Sequence, residues 1–274
     1  MNKIVFIALL VMISSVEIQC QMRFEGYISS TVNINFDNGK GASGFLYSDS
    51  IKIYLVTAKH VLFEYDEITG KDVLLHDECD LTYFLIDSNR ELEQINKHMF
   101  LDVQSLLDWT YTSKDSDIAI VELGKVKDSL IVIPNQKTKP LDRNSVTQFI
   151  YSKKDVISDS IITIGNQVFV FGYPRSVGLI SRIQYDETKP LVRQGIIASK
   201  NTSNNTFIID AVTFPGNSGG PVIQQYNLGG FGLIGLISET IPYSPNGGFS
   251  GNSGFTVVEP ISELLKLIKE YENR

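Results

Sequence analysis

The sequence predicts an all-β protein closed by one amphipathic helix. Three observations carry this. Short runs of strand length, rich in Val, Ile, Phe and Tyr, recur along the chain with turn residues between them. No alternating helix–strand pattern runs through it. Helical periodicity is confined to QSLLDW (104–109), which is brief, and PISELLKLIKEYENR (260–274). In the latter, Ile261, Leu264, Leu265 and Ile268 share one face and Pro260 suits the first turn, so this helix is expected to pack outside the second half. Regular strand spacing argues for a barrel or a sandwich. At 274 residues the chain is long enough for one large all-β domain or two small ones.

In chain order, the first 21 residues, MNKIVFIALLVMISSVEIQCQ, place one lysine before an uninterrupted apolar-to-small run from Ile4 to Val16. That is the pattern of a secretory signal peptide over residues 1–20, too short for a membrane span. Cleavage is expected near Cys20 or Gln21, with lipid anchoring at Cys20 as the alternative, although Glu17, Ile18 and Gln19 fit a lipobox poorly. The expected location is extracytoplasmic, secreted or periplasmic, with no integral membrane span after processing. Strand runs follow at YISSTVNINF (27–36), SGFLY (43–47), IYLVTA (53–58), LTYFLI (81–86) and IAIVEL (118–123). The stretch 127–166 is the least regular and contains the linker-like PNQKTKP and SKKD, so the boundary between two β units is placed there. Strand runs resume with QVFVFGYP (167–174), GIIASK (195–200), TFIIDAV (206–212), GPVIQQ (220–225), FGLIGLISE (231–239) and GFTVVE (254–259).

Charge and cysteine content narrow the partners. The net charge is -7, from 24 basic and 31 acidic residues, with no basic run, which argues against nucleic acid. After processing, Cys79 is the one cysteine certain to remain, so no internal disulfide is expected and stability must come from the core. A catalytic thiol would need a histidine partner nearby.

PGNSGGPV (215–222) raises the question of chemistry, because a turn needs one or two glycines and this stretch crowds three around Ser218. Backbone amides must approach something closely there. The stretch also reads as G-x-S-x-G, but all three histidines, His60, His76 and His98, precede Ser218. That order excludes the α/β-hydrolase arrangement, in which the histidine comes last. Gly219, Gly220 and Pro221 would also stop the helix that follows a nucleophile elbow. A serine nucleophile needs a base, and the base needs an acid. His60 ends the run IYLVTAKH, where a strand end can project into a cleft, whereas His76 and His98 sit in polar, loop-like surroundings. Their spacings of 16 and 22 residues fit no compact zinc pattern, and no metal or cofactor is expected. In SKDSDIAIVEL, Asp117 abuts the apolar run and is better placed for burial than Asp115, a turn residue.

These stretches resemble the chymotrypsin-like (trypsin-fold) serine proteases, especially the bacterial Deg-type branch. GASGFLY resembles the opening strand, TAKHV the histidine motif and DIAIVEL the aspartate motif. QVFVFGYPRSVG, GIIAS, IDAVTFPGNSGGPVI and SGFTVVEPISELLKLI resemble consecutive blocks of the second barrel and final helix. The resemblance covers roughly residues 26–270, is weak over 63–116 and absent over 127–160, and is to a peptidase domain without a PDZ domain. It implies two six-stranded antiparallel β-barrels with a C-terminal helix: a first barrel at about 24–126, a connection at about 127–160 and a second barrel with helix at about 161–274, together forming a peptidase domain over 21–274.

The resemblance further implies a catalytic His60, Asp117 and Ser218, and an oxyanion hole made by the amides of Gly216 and Ser218. The substrate pocket would draw on Val212, Thr213, Ile237 and Ser238, with residues near Ser253 and Gly254. Ser253, in SGNSGF, lacks the second glycine and the proline and is excluded as nucleophile. Val212 at the pocket floor implies an uncharged residue on the acyl side of the cut bond, with Glu239 as the one acidic side chain able to change that. Protein or peptide substrates are expected. The rival readings are a catalytically silent protease-fold binding module and an esterase using the same residues.

Overall fold

The strand runs pair into two β units with two hydrophobic clusters, one in the first unit and reaching the flank of the second and the C-terminal helix, the other inside the second barrel. The computed structural model describes residues 24–76, 78–87, 91–101, 110–127, 130–132, 146–175, 178, 182–226, 230–244 and 251–273. The expected signal segment 1–20 and the brief helical stretch 104–109 lie outside them.

A helix over 24–30 (α1) leads into β1 (Thr31–Asn35), β2 (Gly41–Ser48) and β3 (Lys52–Thr57). A helical turn, α2 (Lys59–Leu62), precedes the hairpin of β4 (Phe63–Asp66) and β5 (Lys71–Leu74). Then come β6 (Glu78–Asp87), β7 (Leu92–Phe100), β8 (Thr110–Thr112), β9 (Ala119–Lys127), β10 (Leu130–Val132), β11 (Val146–Thr147) and β12 (Tyr151–Ser152). The second unit comprises β13 (Gln167–Gly172), β14 (Leu191–Asn201), β15 (Thr206–Asp210), β16 (Pro221–Tyr226), β17 (Gly230–Tyr243) and β18 (Gly251–Pro260), and ends with α3 (Ile261–Glu272).

The second unit is the expected closed barrel, with strand order β13-β14-β15-β18-β17-β16. The first is larger than six strands: it forms a ten-stranded sheet along β10-β9-β3-β2-β1-β6-β11, with β7, β8 and β12 attached. The excess lies where the resemblance was weakest. A long hairpin pairs β6 with β7 from Glu78↔Phe100 to Ile86↔Leu92. The chain passes between units soon after Tyr151, which is fully buried beside β2, because the Ile157 amide already donates to the Leu233 carbonyl at 3.0 Å.

The start of the first run differs from the expected strand. Residues 27–30 are helical because three hydroxyls bond back along the chain. Ser29 Oγ donates to the Gly26 carbonyl, and Ser30 Oγ and Thr31 Oγ1 to the Tyr27 carbonyl, at 2.7–2.9 Å. This turn buries Phe24 and Tyr27 in an aromatic cluster with Phe149, Phe169, Phe171 and Phe231, at ring separations of 5.1–6.3 Å. Each such pair contributes about 0.5–1.5 kcal/mol beyond area burial, so α1 acts as a plug between the units.

The C-terminal helix bridges both units rather than resting on the second alone. It buries Ile261, Leu264, Leu267 and Ile268; Leu267 takes the central place expected of Leu265, which is only half-buried. Its last turn reaches the first unit, where the Tyr271 ring lies 3.9 Å from that of Tyr111 and Lys52 bonds Glu122 at 2.7 Å beneath it.

Candidate active site

His60 and Asp117 meet because their strands are neighbours. β3 and β9 pair antiparallel up to Thr57↔Ala119. His60 follows β3 by three residues and Asp117 precedes β9 by two, so both fall at the same end of the sheet. The strand ends at Thr57, and His60 sits on the helical turn α2 rather than on the strand itself. The backbone locks this crossing: the Lys59 amide donates to the Asp117 carbonyl at 3.1 Å and the His60 amide to Asp117 Oδ1 at 2.9 Å. His60 Nδ1 then bonds Asp117 Oδ2 at 2.8 Å, which leaves Nε2 as the free ring nitrogen.

A third donor, Ser238 Oγ, reaches Asp117 Oδ2 at 2.6 Å, and the Ser238 carbonyl accepts the Ser218 hydroxyl at 3.4 Å. One residue therefore connects the acid to the serine, and no hydrogen bond joins Ser218 to His60 among the described residues. Ser238 was expected in the pocket wall. It occupies a bulge, unpaired between Ile237 and Glu239 on β17, which aims its polar groups into the cleft.

These contacts set the charges. Burial pushes the Asp117 carboxyl up, but hydrogen bonds and charge from His60, the Ser238 hydroxyl and the His60 amide outweigh it and hold the acid below the usual 3.8. The Asp117 hydrogen bond raises His60 above its usual 6.5, against burial, with added charge from Asp117 and Glu239. Glu259, which the sequence reading passed over, is buried and close to Asp117. Burial pushes it up to about 7, against an amide bond from Asp117 and with the Asp117 charge adding to the rise.

The serine loop is built from two left-handed glycines, Gly216 at φ +96° and Gly219 at φ +84°. The crowding that forbids a side chain comes mostly from main chain, with the Thr57 hydroxyl beside Gly219. A Cβ on Gly219 would lie 2.2 Å from the Ser43 carbonyl, and one on Gly220 2.2 Å from the Phe171 carbonyl. Asn217, buried, closes the turn: its amide donates to the Phe214 carbonyl at 2.9 Å and its Oδ1 accepts the Phe214 amide at 3.1 Å. The Pro215 carbonyl accepts the Arg175 amide at 2.7 Å. Because a trans peptide is planar, this turns the Gly216 N–H to the opposite side. Neither the Gly216 nor the Ser218 amide donates to another protein group among the described residues.

The other predicted residues separate. Val212 is 37% exposed beside Gly254. Thr213 is buried, its hydroxyl tied to Thr240 at 2.9 Å and Thr256 at 2.7 Å. Ile237 packs in the interior of the second barrel, next to the bulge that carries Ser238. Ser253 donates to the Ile241 carbonyl at 2.6 Å. Glu239 is exposed. His76 stacks on Phe36 at 4.0 Å, and His98 lies on β7 in register with Asp80. Cys79 is buried, and burial pushes its thiol up to about 12, which suits no nucleophile. No group of potential metal ligands occurs among the described residues.

A closed antiparallel barrel is joined to a second β unit, with His60 bonded to Asp117 and Ser218 linked to that acid through Ser238. A profile of the trypsin-like peptidase domain matches residues 42–228, and the chain belongs to that family. No curated protein matches its sequence. Among solved structures, Deg5 aligns at 16% identity over 91% of this chain and 92% of its own, with a TM-score of 0.51. The HtrA-type protease AlgW with tripeptide aligns at 17% identity over 88% of this chain, with a TM-score of 0.50. A serine endoprotease from Yersinia pestis aligns at 17% identity over 89% of this chain, with a TM-score of 0.47. This chain spans 60% of the AlgW chain and 63% of the Yersinia one. At these identities the likeness is one of fold. No helix among the described residues is long and apolar enough to cross a membrane.

Proposed function

We propose that the chain is an extracytoplasmic serine endopeptidase acting through His60, Asp117 and Ser218, made with a signal segment over 1–20 and a peptidase domain over 21–274. The observation that carries the reading is the continuous network in which Asp117 Oδ2 binds both His60 Nδ1 and Ser238 Oγ, and Ser238 in turn binds Ser218. Rotation of the serine side chain from the Ser238 carbonyl to His60 Nε2 completes the base pair. His60 then removes the proton as Ser218 Oγ attacks the scissile carbonyl, and the amides of Gly216 and Ser218 take up the developing oxyanion. The protonated His60 passes its proton to the leaving amine. Water, deprotonated by the same nitrogen, releases the acyl group. Asp117 stays ionised throughout and stabilises the charged ring.

The substrate is a protein or peptide with an uncharged, small or medium aliphatic residue on the acyl side of the cut bond. Val212 carries no carboxylate, so a basic side chain would find no partner at the pocket floor; Glu239, exposed and near enough to His60 to raise its pKa, is the one acid that would pair it. A fluorophosphonate probe tests the reading. Labelling at Ser218 together with peptide hydrolysis supports it. Silence on both favours the binding module, to which the serine rotamer away from His60 lends its one point of support. Turnover of esters alone favours the esterase.

A further inference from the structure

We propose that Ser43, on β2 of the first unit, is a positioning residue that holds the nucleophile loop of the second barrel in working register. The proposal rests on the serine-peptidase reading above. Ser43 is fully buried and contacts the loop at two points. Its amide donates to the Ser218 carbonyl at 2.9 Å. Its hydroxyl donates to the Gly216 carbonyl at 2.7 Å and accepts the Tyr173 amide at 2.8 Å. The Ser43 carbonyl is itself fixed by Thr57 Oγ1 at 2.8 Å, which ties this point of β2 to the strand that carries the chain to His60.

The consequence follows from peptide geometry. Peptide planarity sets the Gly216 N–H from the Pro215 carbonyl and the Asn217 N–H from the Gly216 carbonyl. The Arg175 amide pins the Pro215 carbonyl, and the Ser43 hydroxyl pins the Gly216 carbonyl. Gly216 is left-handed, at φ +96°, and has no side chain to resist rotation of the peptide that follows it. The Ser43 hydroxyl holds that peptide at its carbonyl from across the unit boundary, while the Phe214 carbonyl holds its N–H at 2.9 Å, and the same peptide leads through Asn217 to Ser218. Removing it leaves two buried main-chain groups unpaired, the Gly216 carbonyl and the Tyr173 amide, which gives the loop a reason to turn. A hydroxyl serving the fold alone would act on stability and leave turnover in the folded protein untouched.

The test uses the full chain with Ser43→Ala, and Ser30→Ala as a control that removes a buried hydroxyl bonded to the Tyr27 carbonyl at 2.9 Å rather than to the loop. Measured are kcat, KM, the fluorophosphonate labelling rate and Tm. The expected result is a kcat lower by about 10- to 100-fold in Ser43→Ala, the size of effect that misplacement of reacting groups produces. KM should stay within about threefold, the labelling rate should fall with kcat, and Ser30→Ala should lower Tm alone. Wild-type kcat in folded Ser43→Ala, or an equal kcat loss in Ser30→Ala, overturns the proposal. Should the alanine variant not fold, the isosteric pair Ser43→Thr and Ser43→Val decides: a higher kcat for threonine supports the role and equal values overturn it. A wild-type chain that neither labels nor hydrolyses peptides removes the underlying reading and this proposal with it.

Discussion

His60 and Asp117 belong to one unit and are joined within it, by strand pairing, two main-chain bonds and the ring–carboxylate bond. Ser218 belongs to the other, on a loop whose own turn is closed by Asn217 but whose carbonyls at Gly216 and Ser218 are held from outside, by Ser43. The acid–base pair is thus a product of local sheet geometry, while the nucleophile depends on how the two units dock. The comparison teaches that the two halves of the site should fail differently: damage to the first changes the charge on His60, and damage to the second changes where the serine and the oxyanion donors point.

The largest expected effect is at the nucleophile. Ser218→Ala should reduce kcat on a peptide substrate by about 10⁶-fold, and the triple variant with His60→Ala and Asp117→Ala should be hardly worse, because the three act as one unit. Tm should change little, since the hydroxyl makes one long bond, 3.4 Å, at a partly exposed position. Additive losses in kcat would break the comparison at its root.

Asp117→Asn comes next. It should lower kcat by about 10⁴-fold at neutral pH by favouring the wrong tautomer of His60. It should also move the acidic limb of the pH profile down, because the Asp117 hydrogen bond is the leading cause of the raised His60 value. In the unaltered protein, kcat/KM should rise with pH through a midpoint above 6.5, since only neutral His60 accepts the serine proton. The same shift acts on stability with the opposite sign: the charged pairing contributes below pH 6.5 and is lost as pH rises through the folded value. A kcat/KM profile flat between pH 5 and 9 would contradict the assignment.

How much of this the sequence carries depends on whether the cause is local. The strands, the serine loop and the pairing of His60 with Asp117 follow from short runs and their order, because each is set by neighbours along the chain or across one strand pair. The extra strands of the first unit escape, since 63–116 lacks a familiar pattern and a long hairpin such as β6–β7 leaves no motif. Ile237 and Ser238, both expected in the pocket, part for a physical reason: a one-residue bulge on β17 is invisible to a period-two reading, and with it Ile237 packs in the barrel interior while Ser238 reaches Asp117. Ser43 and Glu259 escape because their partners lie far away in sequence. The one signal for Ser43 is its place between two glycines in GASGF, and for Glu259 it is a lone acid ending an apolar run.

Two smaller effects sharpen the contrast. Extra residues ahead of Gln21 should leave kcat/KM unchanged, because Asn217 is neutral and already bonded within its own turn, so no freed amino group is needed to form an ion pair there. A chain inert until trimmed would show that the second unit requires a further anchor. Glu259→Gln should raise Tm at pH 8 and leave it nearly unchanged at pH 4. The carboxyl is raised to about 7, so the stability it allows below its usual 4.5 is lost as pH climbs through 7. Equal shifts of Tm at both pH values would show that this acid does not titrate as described.

The most direct test of the central claim is the rate at which a fluorophosphonate labels Ser218 as a function of pH, in the wild type and in His60→Ala, with the modified residue located by mass spectrometry. The account predicts labelling confined to Ser218, rising through a midpoint above 6.5 in the wild type, and slow, nearly pH-independent labelling without His60. Equal rates in the two proteins, or labelling at Ser253, would contradict it.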